Sequence, residues 1–204
     1  MEAKDDINIK LFLWAMNHNI SWNVNFHNEI RRLIHNEIVN LNLKLDEAES
    51  EEIFDLKTFK YKKNILIDEF DVSLTLNSFL MQWSLLEEIL YHCAKSYYPD
   101  DTIQLQKSSI QKYKPMVTAA IKDISGYTPW AVIVSAEKIR NCLLHINGRI
   151  SLSRDCDWLR NVVKITPNYF REKNDRLAIT NGYVNYFIDA ARTLLNDLVQ
   201  TKEM

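Results

Sequence analysis

The chain has 204 residues, enough for one well-buried domain or for one domain carrying a helical extension. Hydrophobic residues at 47% and charged residues at 25% lie in the ordinary globular range, which excludes a disordered or fibrous class. A net charge of −2 and a pI near 6.2 exclude a uniformly basic coat for nucleic acid, while leaving room for a local positive cleft.

Three Gly and four Pro leave few breakers, so long helices are favoured over a many-stranded fold. Apolar spacing suggests a first helix over residues 7–20. A stronger one follows over 25–52, with Ile30, Leu33, Ile34, Ile38, Leu41 and Leu45 as its stripe. The acidic run 46–52 reads as a solvated face or a helix boundary. Residues 55–66 fit either a short helix or an extended link. Lys60, Lys62 and Lys63 interleave there with Phe59 and Tyr61, a pattern compatible with nucleic-acid contact or with plain solvated surface.

The clearest helix spans 68–97, closed by Pro99, with a stripe at Val72, Leu76, Phe79, Leu80, Trp83, Leu86, Leu90 and Cys93. Short helices at 103–112 and 115–124 follow, separated near Pro115. Residues 125–129 (Ser-Gly-Tyr-Thr-Pro) form a turn into the next helix, with Ser or Thr available to cap it. After Gly148, residues 158–162 form a short element, and 162–165 pairs with 177–179 as a small hairpin. Thr180 and Asn181 open a last helix through Tyr183, Phe187, Ala190, Leu194 and Leu198.

The helix before Gly148 carries the chemistry. Val132, Ala136, Ile139, Leu143 and Ile146 recur at spacings of three and four, its buried stripe. At about 100° per residue, Arg140, Asn141 and His145 share an arc of roughly 140° on another side. An imidazole takes or gives protons near neutrality. A guanidinium presents a planar donor fork to phosphate oxygens. Asn141 orients His145, contacts a phosphate backbone, or is a plain hydrogen-bonded surface amide. The residues alone are equally compatible with a structural pair and a histidine at the helix C-terminus, with Gly148 as the residue that ends the helix.

An Arg, a polar residue, three more residues and a His, late in a helical domain and before a small turn, resemble the signature of the HEPN superfamily. The resemblance covers residues 68–204. Residues 1–66 have no counterpart in it and read as an N-terminal helical extension, and the small β-hairpin comes from the residues alone. The resemblance implies an all-α, HEPN-like bundle of four to five main helices over 67–204. It implies a metal-independent endoribonuclease acting through 2′-hydroxyl attack, with Arg140 and His145 as the active pair and Asn141 beside them. It also implies RNA as substrate, a homodimer with facing motif helices, no cofactor, and a toxin or phage-defence role with an antitoxin or other partner protein. An acidic residue on the earlier helix, Glu87 or Glu88, would support the pair or be ordinary surface. The second reading is a non-catalytic helical module that binds nucleotide, RNA or a partner. In one toxin branch a Tyr lies two residues after the His and is modified by the antitoxin. Asn147 stands there, so that control is not expected.

Arg160-Asn161 repeats the start of the motif without the His. Cys93, Cys142 and Cys156 lack ligand spacing and read as reduced packing residues, as Cys142 does between Asn141 and Leu143. His18, His27, His35 and His92 form no metal motif. The absence of an ~18-residue apolar run and the acidic start point to a cytoplasmic protein with no membrane partner.

Overall fold

The computed structural model describes residues 2–47, 53–66, 70–98, 109–121 and 123–202. Seven α-helices occur among them: α1 (Glu2–Glu47), α2 (Ile53–Ile65), α3 (Asp71–Tyr97), α4 (Lys114–Ala120), α5 (Thr128–His145), α6 (Cys156–Ile165) and α7 (Asn181–Lys202). Strands β1 (Phe170–Lys173) and β2 (Arg176–Ile179) form one antiparallel hairpin. α5 and α7 pack along each other, α3 packs on α7, and α1 lies along α3.

The core forms where α3, α5 and α7 bring their stripes together. Phe79 meets Phe187 edge-on, with ring centroids 5.2 Å apart, and Trp83 stacks on Phe187 at 5.9 Å. Ile133 and Ile139 of α5 and Leu194 and Leu195 of α7 are buried beside them. Burial of such side chains is worth about 1.5–3 kcal/mol each, and this contiguous cluster carries most of the fold's stability. Val72, placed in the α3 stripe by spacing, is instead exposed at the first turn.

Several expected boundaries move. Residues 7–20 and the described part of 25–52, up to Glu47, form one helix, α1, because Ser21, Trp22, Asn23 and Val24 between them cost only tenths of a kcal/mol each, and no Gly or Pro precedes Pro99. Arg31 fastens α1 to α3: its Nε lies 3.2 Å from Asp71 Oδ1 and its Nη2 donates to Thr75 Oγ1 at 3.0 Å. Leu41 is buried, whereas Leu33, expected in the same stripe, is exposed. Residues 48–52 of the acidic run lie outside the described residues. Residues 55–65 are helical as part of α2; Lys63 donates to Asn42 Oδ1 at 2.6 Å, while Lys60, Tyr61 and Lys62 face solvent.

The helix expected at 103–112 falls largely outside the described residues. What is described is a 3₁₀ turn, Ile110–Tyr113, running straight into α4. Pro115 therefore sits in the first turn of α4, where its missing N–H is no loss, and does not separate two helices. Residues 162–165 belong to α6, not to the hairpin. β2 pairs with 170–173 because Asn174 and Asp175 adopt φ of 54° and 64°, the left-handed pair that a tight two-residue hairpin turn requires.

Candidate functional site

α5 is set in place from both ends. Pro129 occupies its first turn, Trp130 is buried, and the Tyr127 hydroxyl donates to the Asp197 carboxylate on α7. No Ser or Thr side chain caps it; Tyr127 holds the cap position. Val132, Ile133, Ala136, Ile139, Cys142 and Leu143 are buried. That leaves Arg140 half-buried and Asn141, Leu144 and His145 exposed on the solvent side.

Arg140 Nη1 donates to Asn141 Oδ1 at 3.0 Å. Its Nε is enclosed and has no acceptor among the described residues. Neither Arg140 nor His145 forms an ion pair among the described residues. A half-buried guanidinium without a carboxylate is unusual, because buried charge is normally compensated.

The carboxylates that could partner the motif have other surroundings. Glu137, one turn before Arg140, accepts from Ile110 N at 2.7 Å and from Ser109 Oγ at 3.0 Å, closing the start of the 3₁₀ turn. Glu87 accepts from Trp83 Nε1 at 2.8 Å, on its own helix, and its carbonyl accepts from the Tyr113 hydroxyl at 3.3 Å. Burial, with the Glu87 charge added, pushes the Tyr113 phenol up to about 12. Glu88 is exposed. Neither Glu87 nor Glu88 meets Arg140 or His145 in an ion pair among the described residues. Sequence reasoning passed over Glu137, whose partners lie more than 25 residues upstream.

His145 is the last residue of α5. Ile146 leaves the helix, and Asn147, at φ 51°, is the left-handed residue that follows. Gly148 thus lies one position beyond the role expected of it. Gly148 nevertheless has φ of 74°, and a Cβ there would sit 3.1 Å from the Leu177 carbonyl oxygen. Its N–H donates to the Cys142 carbonyl at 2.9 Å, and its carbonyl accepts from Leu177 N at 2.8 Å. Ile150 N donates to the Asp175 carbonyl at 2.9 Å, and Ser151 N to Asp175 Oδ1 at 3.0 Å. The Ser151 hydroxyl bonds the same carboxylate and, with Arg160 and Arg149 nearby, holds Asp175 below the usual carboxylate range.

The hairpin therefore tightens the loop that leaves His145, and it brings basic residues with it. Residues 145–176 contain seven Lys or Arg against four Asp or Glu, in a chain whose net charge is −2. Arg149, Arg160, Arg171, Lys173 and Arg176 are exposed.

Cys142 does not suit nucleophilic chemistry. Burial, with the Asp175 charge added, pushes its thiol up to about 11. Among the described residues no three His, Cys, Asp or Glu side chains gather as metal ligands. No described helix is long and apolar enough to cross a membrane. The opposite side of α5 fronts an aromatic-walled cavity of about 310 Å³ between α5, α6 and the start of α7.

No protein-family model matches the chain, and no curated protein or solved structure matches it.

Proposed function

We propose that the protein is a metal-independent endoribonuclease of HEPN type, acting as a toxin or phage-defence effector. The observation that carries this reading is Arg140: a half-buried cation with no carboxylate partner among the described residues, on the same side of one helix as the exposed imidazole of His145. Glu137, the acid one turn before it on the same helix, is held by other donors. The guanidinium is left available for a phosphate oxygen, and the basic residues of 149–176 draw the RNA backbone toward it.

In this mechanism the ribose 2′-hydroxyl loses its proton to an imidazole and attacks the adjacent phosphorus. The P–O5′ bond breaks, the departing 5′ oxygen receives a proton, and a 2′,3′-cyclic phosphate remains. Arg140 stabilises the charge on the non-bridging oxygens, and Asn141 fixes the guanidinium through the hydrogen bond it accepts. Two imidazoles separate the proton-taking and proton-giving roles, which a twofold dimer with facing α5 helices supplies. Leu144, 45% exposed one turn after Arg140, is an apolar residue that such an interface would cover.

The Arg140–Asn141 hydrogen bond also favours a second reading, a non-catalytic module that holds RNA or nucleotide, because it withdraws one guanidinium arm from the reacting phosphate. Incubating the purified protein with single-stranded RNA in EDTA separates the two. Cleavage is expected, with Arg140→Ala and His145→Ala each lowering the rate by about 10²–10⁴-fold. Full activity in both variants refutes the assignment. Retention of RNA without cleavage by the wild type establishes the non-catalytic module.

A further inference from the structure

The β1–β2 hairpin has an inner and an outer face of very different composition. In the register Phe170↔Ile179, Arg171↔Ala178, Glu172↔Leu177 and Lys173↔Arg176, successive pairs alternate between the two faces. Phe170, Leu177 and Ile179 are buried, which assigns their pairs to the inner face. Arg171, Lys173, Arg176 and Ala178 are left on the outer one. Arg149 extends the outer face, because it forms an isolated antiparallel bridge with Arg176, and bridge partners project to the same side. Arg149, Arg171, Lys173 and Arg176 are all exposed, and Glu172 belongs to the opposite face.

A row of three cations, Lys173, Arg176 and Arg149, thus crosses the ribbon, with neighbouring Cβ atoms about 4.5–5.5 Å apart. Arg171 stands two residues from Lys173, about 6.8 Å along the strand. Like charges directly opposite one another destabilise a ladder, and Arg176 has one on either side. Neither pair is needed to set the register, which the left-handed turn at Asn174 and Asp175 and the buried inner residues fix. Asp175, the acid at the turn, is bonded by Ser151 N and the Ser151 hydroxyl and lies in the field of Arg149 and Arg160. One carboxylate so engaged does not balance four outer cations. Such a face, in a chain of net charge −2, fits a polyanion.

Three of the four cations are Arg, whose planar fork matches phosphate oxygens. Ala178 is the one non-cationic outer position in the register, so no large apolar side chain there would enter a lipid surface. Arg149 follows His145 by four residues, which keeps their Cα atoms within about 14 Å.

We infer that the outer face of the hairpin is the track for the phosphate backbone of RNA, held by Arg149, Lys173 and Arg176 with Arg171 alongside. RNA as the ligand rests on the function proposed above, but the contacts themselves need neither Arg140 nor His145. The short link from Arg149 back to His145 puts the bound strand within reach of the imidazole.

A fluorescent 2′-O-methyl RNA of about 20 nucleotides lacks the attacking hydroxyl, so its anisotropy with the full chain reports binding without cleavage. The wild type is expected to bind, with affinity falling steeply between about 50 and 200 mM salt. Combining Arg149→Gln, Lys173→Gln and Arg176→Gln should weaken binding about tenfold or more. It should also flatten the slope of log affinity against log salt by about 2, roughly 0.7 for each of three phosphate contacts. The melting temperature of that variant should hold or rise, since two like-charge pairs are gone. Combining Lys57→Gln, Lys60→Gln and Lys62→Gln removes the same charge from exposed positions on α2 and should leave affinity and slope unchanged.

A wild type that does not bind the probe overturns the inference, and so does binding that the hairpin variant keeps or the α2 variant loses equally. A fall in melting temperature accompanying the lost affinity gives the row a structural role and overturns it too. So does a wild type that sediments with phosphatidylserine vesicles and ignores the probe. Ordinary RNA left uncut, while the probe binds through this face, upholds the inference and refutes the ribonuclease.

Discussion

The two sides of α5 divide the labour of one helix. The inner side, with Ile133, Ala136, Ile139 and Cys142, is closed against α7 and the rest of the core. The outer side, with Arg140, Asn141 and His145, makes one hydrogen bond among the described residues, and that bond is internal to the motif. Side chains on the inner side answer for stability, and under the proposed function those on the outer side answer for chemistry, so substitutions on each should separate cleanly.

The sharpest division is expected at His145. His145→Ala should lower RNA cleavage by about 10²–10⁴-fold while leaving the melting temperature within error, because the imidazole contacts little of the fold. A large fall in melting temperature would break the comparison. On the inner side, Ile139→Ala should cost about 2–5 kcal/mol of unfolding free energy in denaturant titration, through lost burial and the cavity left behind.

Gly148→Ala tests the junction between the two sides. It places an alanine at φ 74° with its Cβ 3.1 Å from a backbone oxygen that belongs to the hairpin. A loss of about 1–3 kcal/mol is expected, together with weakened cleavage as the end of α5 shifts. The smallest effect concerns Asp175. Its folded-state pKa lies below the unfolded value near 4, so its contribution to stability is complete above about pH 4 and is lost as pH falls through the folded value. Asp175→Asn should flatten the acid limb of a stability–pH curve in that window and leave the shape near neutrality unchanged. An unaltered acid limb would show that the Ser151 contacts do not tie the loop to the hairpin.

The inner side was legible in the sequence because its signal is periodic. Val132, Ala136, Ile139 and Leu143 repeat at helical spacing, as do Phe79, Trp83 and Leu86 in α3 and Tyr183, Phe187 and Leu194 in α7, and all of these are buried. The same arithmetic put Asn141 and His145 away from the buried stripe, where they are exposed, whereas Arg140 is half-buried. What escaped was whatever depends on a partner distant in the chain. Glu137 reads as an ordinary helix-surface acid until residues 109–110 fold back onto it. Glu87 reads as either a counterion for the motif or ordinary surface, and its bond from the Trp83 indole one turn away is not visible in that reading. The β-branched run at 162–165 suggested a strand, but β-propensity is a weak preference, and the turn at Asn174 and Asp175 fixed the true partner of β2. α1 shows the reverse error: two apolar patterns suggested two helices where nothing in the sequence stops one.

The bond from Leu177 N to the Gly148 carbonyl closes a circuit in the chain. Everything between those residues, α6 included, is an excursion that leaves the end of α5 and comes back to it. The entropy of closing such a circuit rises only with the logarithm of its length, so that doubling it adds about 0.6 kcal/mol. Related chains are therefore free to lengthen or shorten the stretch around α6, altering the surface it presents, without moving the imidazole at the end of α5. One main-chain hydrogen bond thus separates the part of this molecule that evolution can vary from the part it must hold still.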